Sequence, residues 1–156
     1  MPIQSILLSD LINAFLLMVA IVGIFLTYHQ IRMNHKIQRA TFFKDLYRGF
    51  FSDQDIRKIY YQIEYGKFTY GRDFHGTEDE QCLDRLLTFA DLVCDLYDQG
   101  IITEHEMNFF KYEFKRIYQD KYIKSYLIFL KNFYQQIGTG TEPFFSFVSY
   151  CKKQFR

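Results

Sequence analysis

LINAFLLMVAIVGIFLTYHQIRMNHK, residues 11–36, is the stretch on which the architecture turns. Its first eighteen residues, Leu11 to Tyr28, carry no charge, and a helix of that length rises about 27 Å, close to the thickness of bilayer hydrocarbon. Eleven of the eighteen are Leu, Ile, Phe or Val, which together favour insertion by roughly 3 to 7 kcal/mol. Asn13, near one end, offsets only part of that. A core helix of a soluble protein is the weaker alternative, because such helices carry shorter apolar runs and a polar stripe. A cleaved signal peptide needs basic residues before the run and small residues after it. No Lys or Arg precedes Arg32, and the run ends in Leu-Thr-Tyr-His at positions 26–29. The stretch reads as an anchor that stays.

Charge asymmetry sets the expected orientation. Arg32, Lys36 and Arg39 follow the span without an intervening acid, whereas Asp10 is the only charged side chain before it. Basic flanks stay on the cytoplasmic side and contact anionic headgroups. Residues 1–10 are therefore expected outside, with Asp10 at the outer boundary. Residues 11–28 span, Tyr28 sits at the interface, and residues 29–156 form one cytoplasmic domain. The balanced formal charge of +1 creates no field that draws a polyanion. Cys82, Cys94 and Cys151 show no disulfide spacing and suit a reducing compartment.

Beyond the span every sustained pattern is helical. No Gly or Pro interrupts Ile24 to Arg48, and Phe43, Leu46, Tyr47 and Phe50 recur at helical intervals, so the membrane helix is expected to continue as a stalk. Asp53 reads as an N-cap, opening a short helix that stops at Gly66. One long loop, Gly66–Thr77, follows, with no sustained period. Thr77 and Glu80 then match a capping box, as do Thr103 and Glu106. The first opens a helix with Leu83, Leu86, Leu87, Ala90, Val93, Cys94 and Tyr97 on one face. The second opens a helix with an inner stripe of Met107, Phe110, Phe114 and Ile117, expected antiparallel to the first across a short connection. Asp120 caps a further helix whose apolar positions Ile123, Tyr126, Leu127, Leu130, Phe133, Tyr134 and Ile137 are expected to face the same core. Pro143 stands near the start of a last helix ending in basic residues. The reading is an all-α fold: one transmembrane helix and a compact bundle of five or six helices.

Chemistry-bearing residues do not assemble into a site. Gly71 and Gly76-Thr77 have the spacing of a phosphate loop but lack its Lys, and three acids follow, which would repel a phosphate. His75 and His105 lack metal-ligand spacing and read as exposed, solvated side chains. Cys94 reads as a small core residue. Lys111, Lys115, Arg116, Lys121 and Lys124 form a basic group without a nucleic-acid reading motif. No catalytic residue, metal ligand, cofactor or small-molecule ligand is expected, and no nucleic acid as partner. The span is read as holding no small-xxx-small pair, and Asn13, able to hydrogen-bond its equivalent in a second span, leaves self-association open.

The segments YHQIRMNHKIQRATFFKDLYRGFF, IRKIYYQIEYG, LDRLLTFADLVCDLYDQGIITEHE and FKRIYQDKYIKSYLIFL together resemble a widespread bacterial family of short proteins with one N-terminal membrane helix and a helical domain of unknown function. The resemblance runs from about Leu11 to Leu130 and implies an all-α inner-membrane protein. It transfers no functional residue, since that family has no established active site. The expected function is a membrane-anchored interaction module, an adaptor or scaffold, whose partners are the lipid bilayer and either a cytoplasmic protein or a second copy. One alternative is a membrane effector, of anti-phage or toxin type, acting through self-association of the span. The other is an enzyme with its site in the loop Gly66–Thr77, for which His75→Ala would abolish activity without unfolding.

Overall fold

The computed structural model describes residues 3–155, with side chains from residue 11 onward. Helix α1 covers Ile3–Ser52. It is followed by α2 (Gln54–Glu64), one 3-10 turn (Arg72–Phe74), α3 (Glu78–Asp98), α4 (Glu104–Met107), α5 (Lys111–Gln119), α6 (Lys121–Gln136) and α7 (Phe145–Gln154). Among the described residues there is no strand, and the fold is all-α. The chain divides into two compact units, one up to Lys44 and one from Asp45 onward.

The described residues of the first unit are all helical. From Leu11 to Leu26 its large apolar side chains are 50–71% exposed, and none of its most apolar window is buried within the protein. A core helix of a soluble domain would bury that surface, so the core-helix alternative does not describe this segment. The helix is long and apolar enough to cross a membrane. Asp10 lies outside the residues whose side chains are described.

The second unit is a bundle built around α3. Its buried side chains Cys82, Leu83, Leu86, Leu87, Ala90, Val93 and Cys94 occupy the face expected from the sequence, and it packs most extensively on α7 and α2. The end of α1 enters this core through Phe50, whose ring lies 5.4 Å from Tyr60, 5.6 Å from Phe89 and 6.3 Å from Phe110. Phe114 and Phe147 meet edge to face at 5.5 Å, tying α5 to α7. Aromatic pairs of this kind add about 0.5–1.5 kcal/mol each beyond their buried area.

Local chemistry explains the breaks. Asp53 Oδ1 accepts from the amides of Asp55 and Ile56, and Asp120 Oδ1 accepts from those of Tyr122 and Ile123. Each cap satisfies donors that a helix start leaves unpaired. Gly100 ends α3 with φ +72°, a conformation costly to any residue with a Cβ. At Thr103 both halves of the capping box form.

Several sequence expectations are corrected. The stretch after Thr103 is two helices, because the chain turns at 108–110 before α5 begins, although the stripe of Met107, Phe110, Phe114 and Ile117 is buried as expected. The most extensive neighbours of α3 are α7, far along the chain, and α2, the helix before it, in place of the helix that follows it. At Thr77 the hydroxyl accepts from the Glu80 amide as expected. The Glu80 carboxylate, however, reaches one residue further back, to the Gly76 amide at 2.6 Å. In α6 only Ile123 and Tyr126 are buried; Leu127, Leu130 and Tyr134 are half-buried, and Phe133 and Ile137 are exposed. Among the described residues, no side chain of α6 after Tyr126 is fully buried.

Candidate functional site

The residues expected to set topology stand in order along α1. Tyr28, Arg32, Lys36 and Arg39 are all exposed, and their spacings of four, four and three residues put them on one stripe of the helix. An aromatic ring at the interface followed by three cations is the arrangement that anchors a span against an anionic leaflet. Asn13 is exposed within the apolar segment. Further along, the Thr27 hydroxyl donates to the Gly23 carbonyl at 2.8 Å. Gly23 and Thr27, four apart, form a small-residue pair of the kind that lets membrane helices approach closely. The expectation that the span holds no such pair is thereby corrected: the spacing alone shows it, since the three residues between project to other sides of the helix.

Inside the bundle the most developed polar cluster surrounds His75. The loop Gly66–Thr77 is not the open segment its glycines suggest, since Phe68 and Phe74 are buried and their rings meet at 5.6 Å. His75 is exposed, as expected, but it is not without partners. Its Nδ1 lies 2.8 Å from Glu80 Oε1 and its Nε2 3.1 Å from the Tyr70 hydroxyl, while the ring lies 4.1 Å from that of Phe129 on α6. Both ring nitrogens therefore have a hydrogen-bond partner within the cluster. The Tyr126 hydroxyl donates to Asp84 at 2.6 Å and approaches Glu80 at 3.3 Å.

The two carboxylates of this cluster are driven apart. Burial pushes Asp84 above the ordinary carboxylate range, with the Tyr126 hydroxyl opposing it. Burial also acts on Glu80, but the Gly76 amide, His75 and the Tyr126 hydroxyl outweigh it and hold that carboxyl below the range. A raised and a lowered carboxyl side by side is a pattern found at catalytic sites. Here, though, both ring nitrogens of His75 already have partners within the cluster, leaving neither directed at a substrate. The cluster closes the loop onto α3 and α6.

Elsewhere the polar groups also hold elements together. Glu64 accepts from the hydroxyls of Tyr112 at 2.5 Å and Tyr60 at 3.3 Å, and from Arg116 Nε at 3.2 Å. These contacts, led by Tyr112, keep it below the ordinary carboxylate range. Arg116 thereby leaves the basic group read from the sequence, and Lys121 and Lys124 lie over the rings of Tyr122 and Tyr118 at 4.7 and 5.7 Å. Cys82, Cys94 and Cys151 are buried free thiols. Burial raises all three, which opposes the thiolate that nucleophilic chemistry requires.

No family model, curated protein or solved structure matches this chain.

Proposed function

We propose that this chain is a membrane-anchored helical interaction protein, an adaptor or scaffold, whose bundle binds a cytoplasmic partner or a second copy at a bacterial inner membrane. One observation supports this reading above the others: an apolar helix exposed along its span is joined to a bundle whose polar clusters are engaged in closing the fold. The stripe of Tyr28, Arg32, Lys36 and Arg39 supports an orientation with the bundle inside and residues 1–10 outside. The family resemblance supports the bacterial inner membrane.

The reading is tested by crosslinking in the native host, detergent purification and mass spectrometry. A distinct cytoplasmic protein attached through the bundle is the expected result, and recovery of the chain without any adduct overturns it. The pair Gly23 and Thr27, together with exposed Asn13, favours a second reading, the self-associating membrane effector. In that reading Asn13→Leu weakens chain-to-chain crosslinking in the membrane, at a cost of roughly 0.6–2 kcal/mol per hydrogen bond lost. Undiminished crosslinking removes Asn13 from the interface.

A further inference from the structure

The helix that carries the span keeps an apolar seam after the bilayer ends. Within the span, Ile12, Leu16, Val19, Gly23 and Leu26 recur at alternating steps of four and three residues. The alternation continues through Gln30, Met33, Ile37 and Ala40, all inside the unbroken helix Ile3–Ser52. Between His29 and Thr41 the cations and histidines, His29, Arg32, His35, Lys36 and Arg39, all fall off that seam. Ile37 and Ala40 stand about 14 and 18 Å beyond Tyr28 along the helix, whereas the headgroup layer is about 5–8 Å deep on each side. Acyl chains do not reach them, yet Met33 and Ile37 are 44% and 58% exposed.

Gly23 supplies an observation of a different kind. A glycine in the middle of a helix weakens it, and a Cβ placed on Gly23 would meet nothing within the chain. No contact of this chain therefore requires a glycine there. Together with Ala20 and Thr27 it lines a shallow notch on the helix surface, and small residues of this kind stand where a second membrane helix comes close. A repeat averaging 3.5 residues, kept over four heptads, is the pattern by which two helices stay in contact as they supercoil.

We propose that α1 pairs in parallel with α1 of a second copy along this seam, from Ile12 through the bilayer to Ala40. The inference deepens the membrane-anchored reading above and rests on it. Three features select the occupant. Lipid covers only the first half of the seam, so a partner that covers both halves leaves the membrane beside α1, as a second copy does. In register, the Gln30 amide meets its own equivalent, and a single polar residue in an apolar seam is a device that fixes register and pairing. Across the seam Lys36 faces Thr41 of the second copy and His29 faces its Asn34, so no like charges oppose the contact.

Cys82, Cys94 and Cys151 are buried, so single cysteines placed on α1 of the full chain report its neighbours. Met33→Cys, Ile37→Cys and Ala40→Cys are compared with His35→Cys and Phe42→Cys, on the other side of the helix, in membranes treated with copper phenanthroline. A disulfide needs Cα atoms within about 7 Å, a separation reached at the seam of paired helices and not at outward positions. The expected result is a disulfide-linked dimer at positions 33, 37 and 40 and none at 35 and 42. Gly23→Leu, which the single helix accommodates, is expected to remove most of the dimer formed by Ile37→Cys, and an undiminished band overturns pairing through the span. Equal bands at every position reveal random collision and overturn the proposal, as does the absence of dimer at cysteines that maleimide reaches. A band containing a different protein assigns the seam to that protein and overturns it as well. Alkaline carbonate extraction separates the two readings: chains that stay in the membrane leave the anchor standing whatever the crosslinks show, and chains released overturn the anchored reading itself.

Discussion

Glu113 shows how a single side chain carries strain that no motif reveals. Its Oε2 is buried without a hydrogen-bond partner, and burial, with the nearby negative charge of Glu64, raises its carboxyl above the ordinary range. A carboxyl whose folded pKa is raised contributes stability that is fully present below its unfolded value and is lost as the pH rises through the folded value. At pH 7 the ionised group is therefore a burden to the fold. Glu113→Gln is expected to stabilise the protein at pH 7 by about 0.5–2 kcal/mol, with the advantage vanishing below about pH 4, where the carboxyl is protonated in both states. Urea melts across that range measure it, and a pH-independent difference contradicts the assignment. Local spacing located Cys94 in the core and Thr77 as a cap, because both roles depend on near neighbours. It missed the engagement of His75, whose ring partner Phe129 is contributed by α6.

At the scale of the element, caps and stripes were legible and coverage was not. Asp53, Thr77, Thr103 and Asp120 each start a helix, since an N-cap is written in two to four consecutive residues. Asp120→Ala is expected to cost about 1 kcal/mol, through loss of the carboxylate that accepts from the Tyr122 and Ile123 amides at the start of α6. Ile137→Ser, at a site the bundle leaves exposed, is expected to stay within about 0.5 kcal/mol. Chemical denaturation of the two variants checks the contrast, and a large cost at Ile137 would mean that its face is covered within the monomer. The regular stripe of α6 gave no sign that its two halves have different surroundings. Periodicity reports that a face is apolar, not what lies against it.

The whole molecule offers a direct assay of its own organisation. Cys82, Cys94 and Cys151 are all buried, so the native chain is expected to be nearly silent to maleimide and to label on denaturation. Against that background Ser125→Cys, on an exposed turn of α6, reports topology. With the bundle inside the cell, a membrane-impermeant maleimide labels Cys at this position only after the membrane is opened. Labelling of intact cells reverses the proposed orientation. Rapid labelling of the native thiols would contradict the packing of α3 on α7.

The sequence by itself determined the all-α class, the single apolar helix of spanning length, the stripe of cations after it and most helix starts. These are local or periodic properties, set by hydropathy, charge order and capping within a few residues. Only the tertiary structure decided that α3 packs on α7 and α2, that the loop Gly66–Thr77 is fastened by Phe68, Phe74 and His75, and that the outer half of α6 is left uncovered. Each of these depends on which distant segments meet, and the free energy that selects those meetings comes from the joint burial of aromatic surface, which no single stretch of the chain contains.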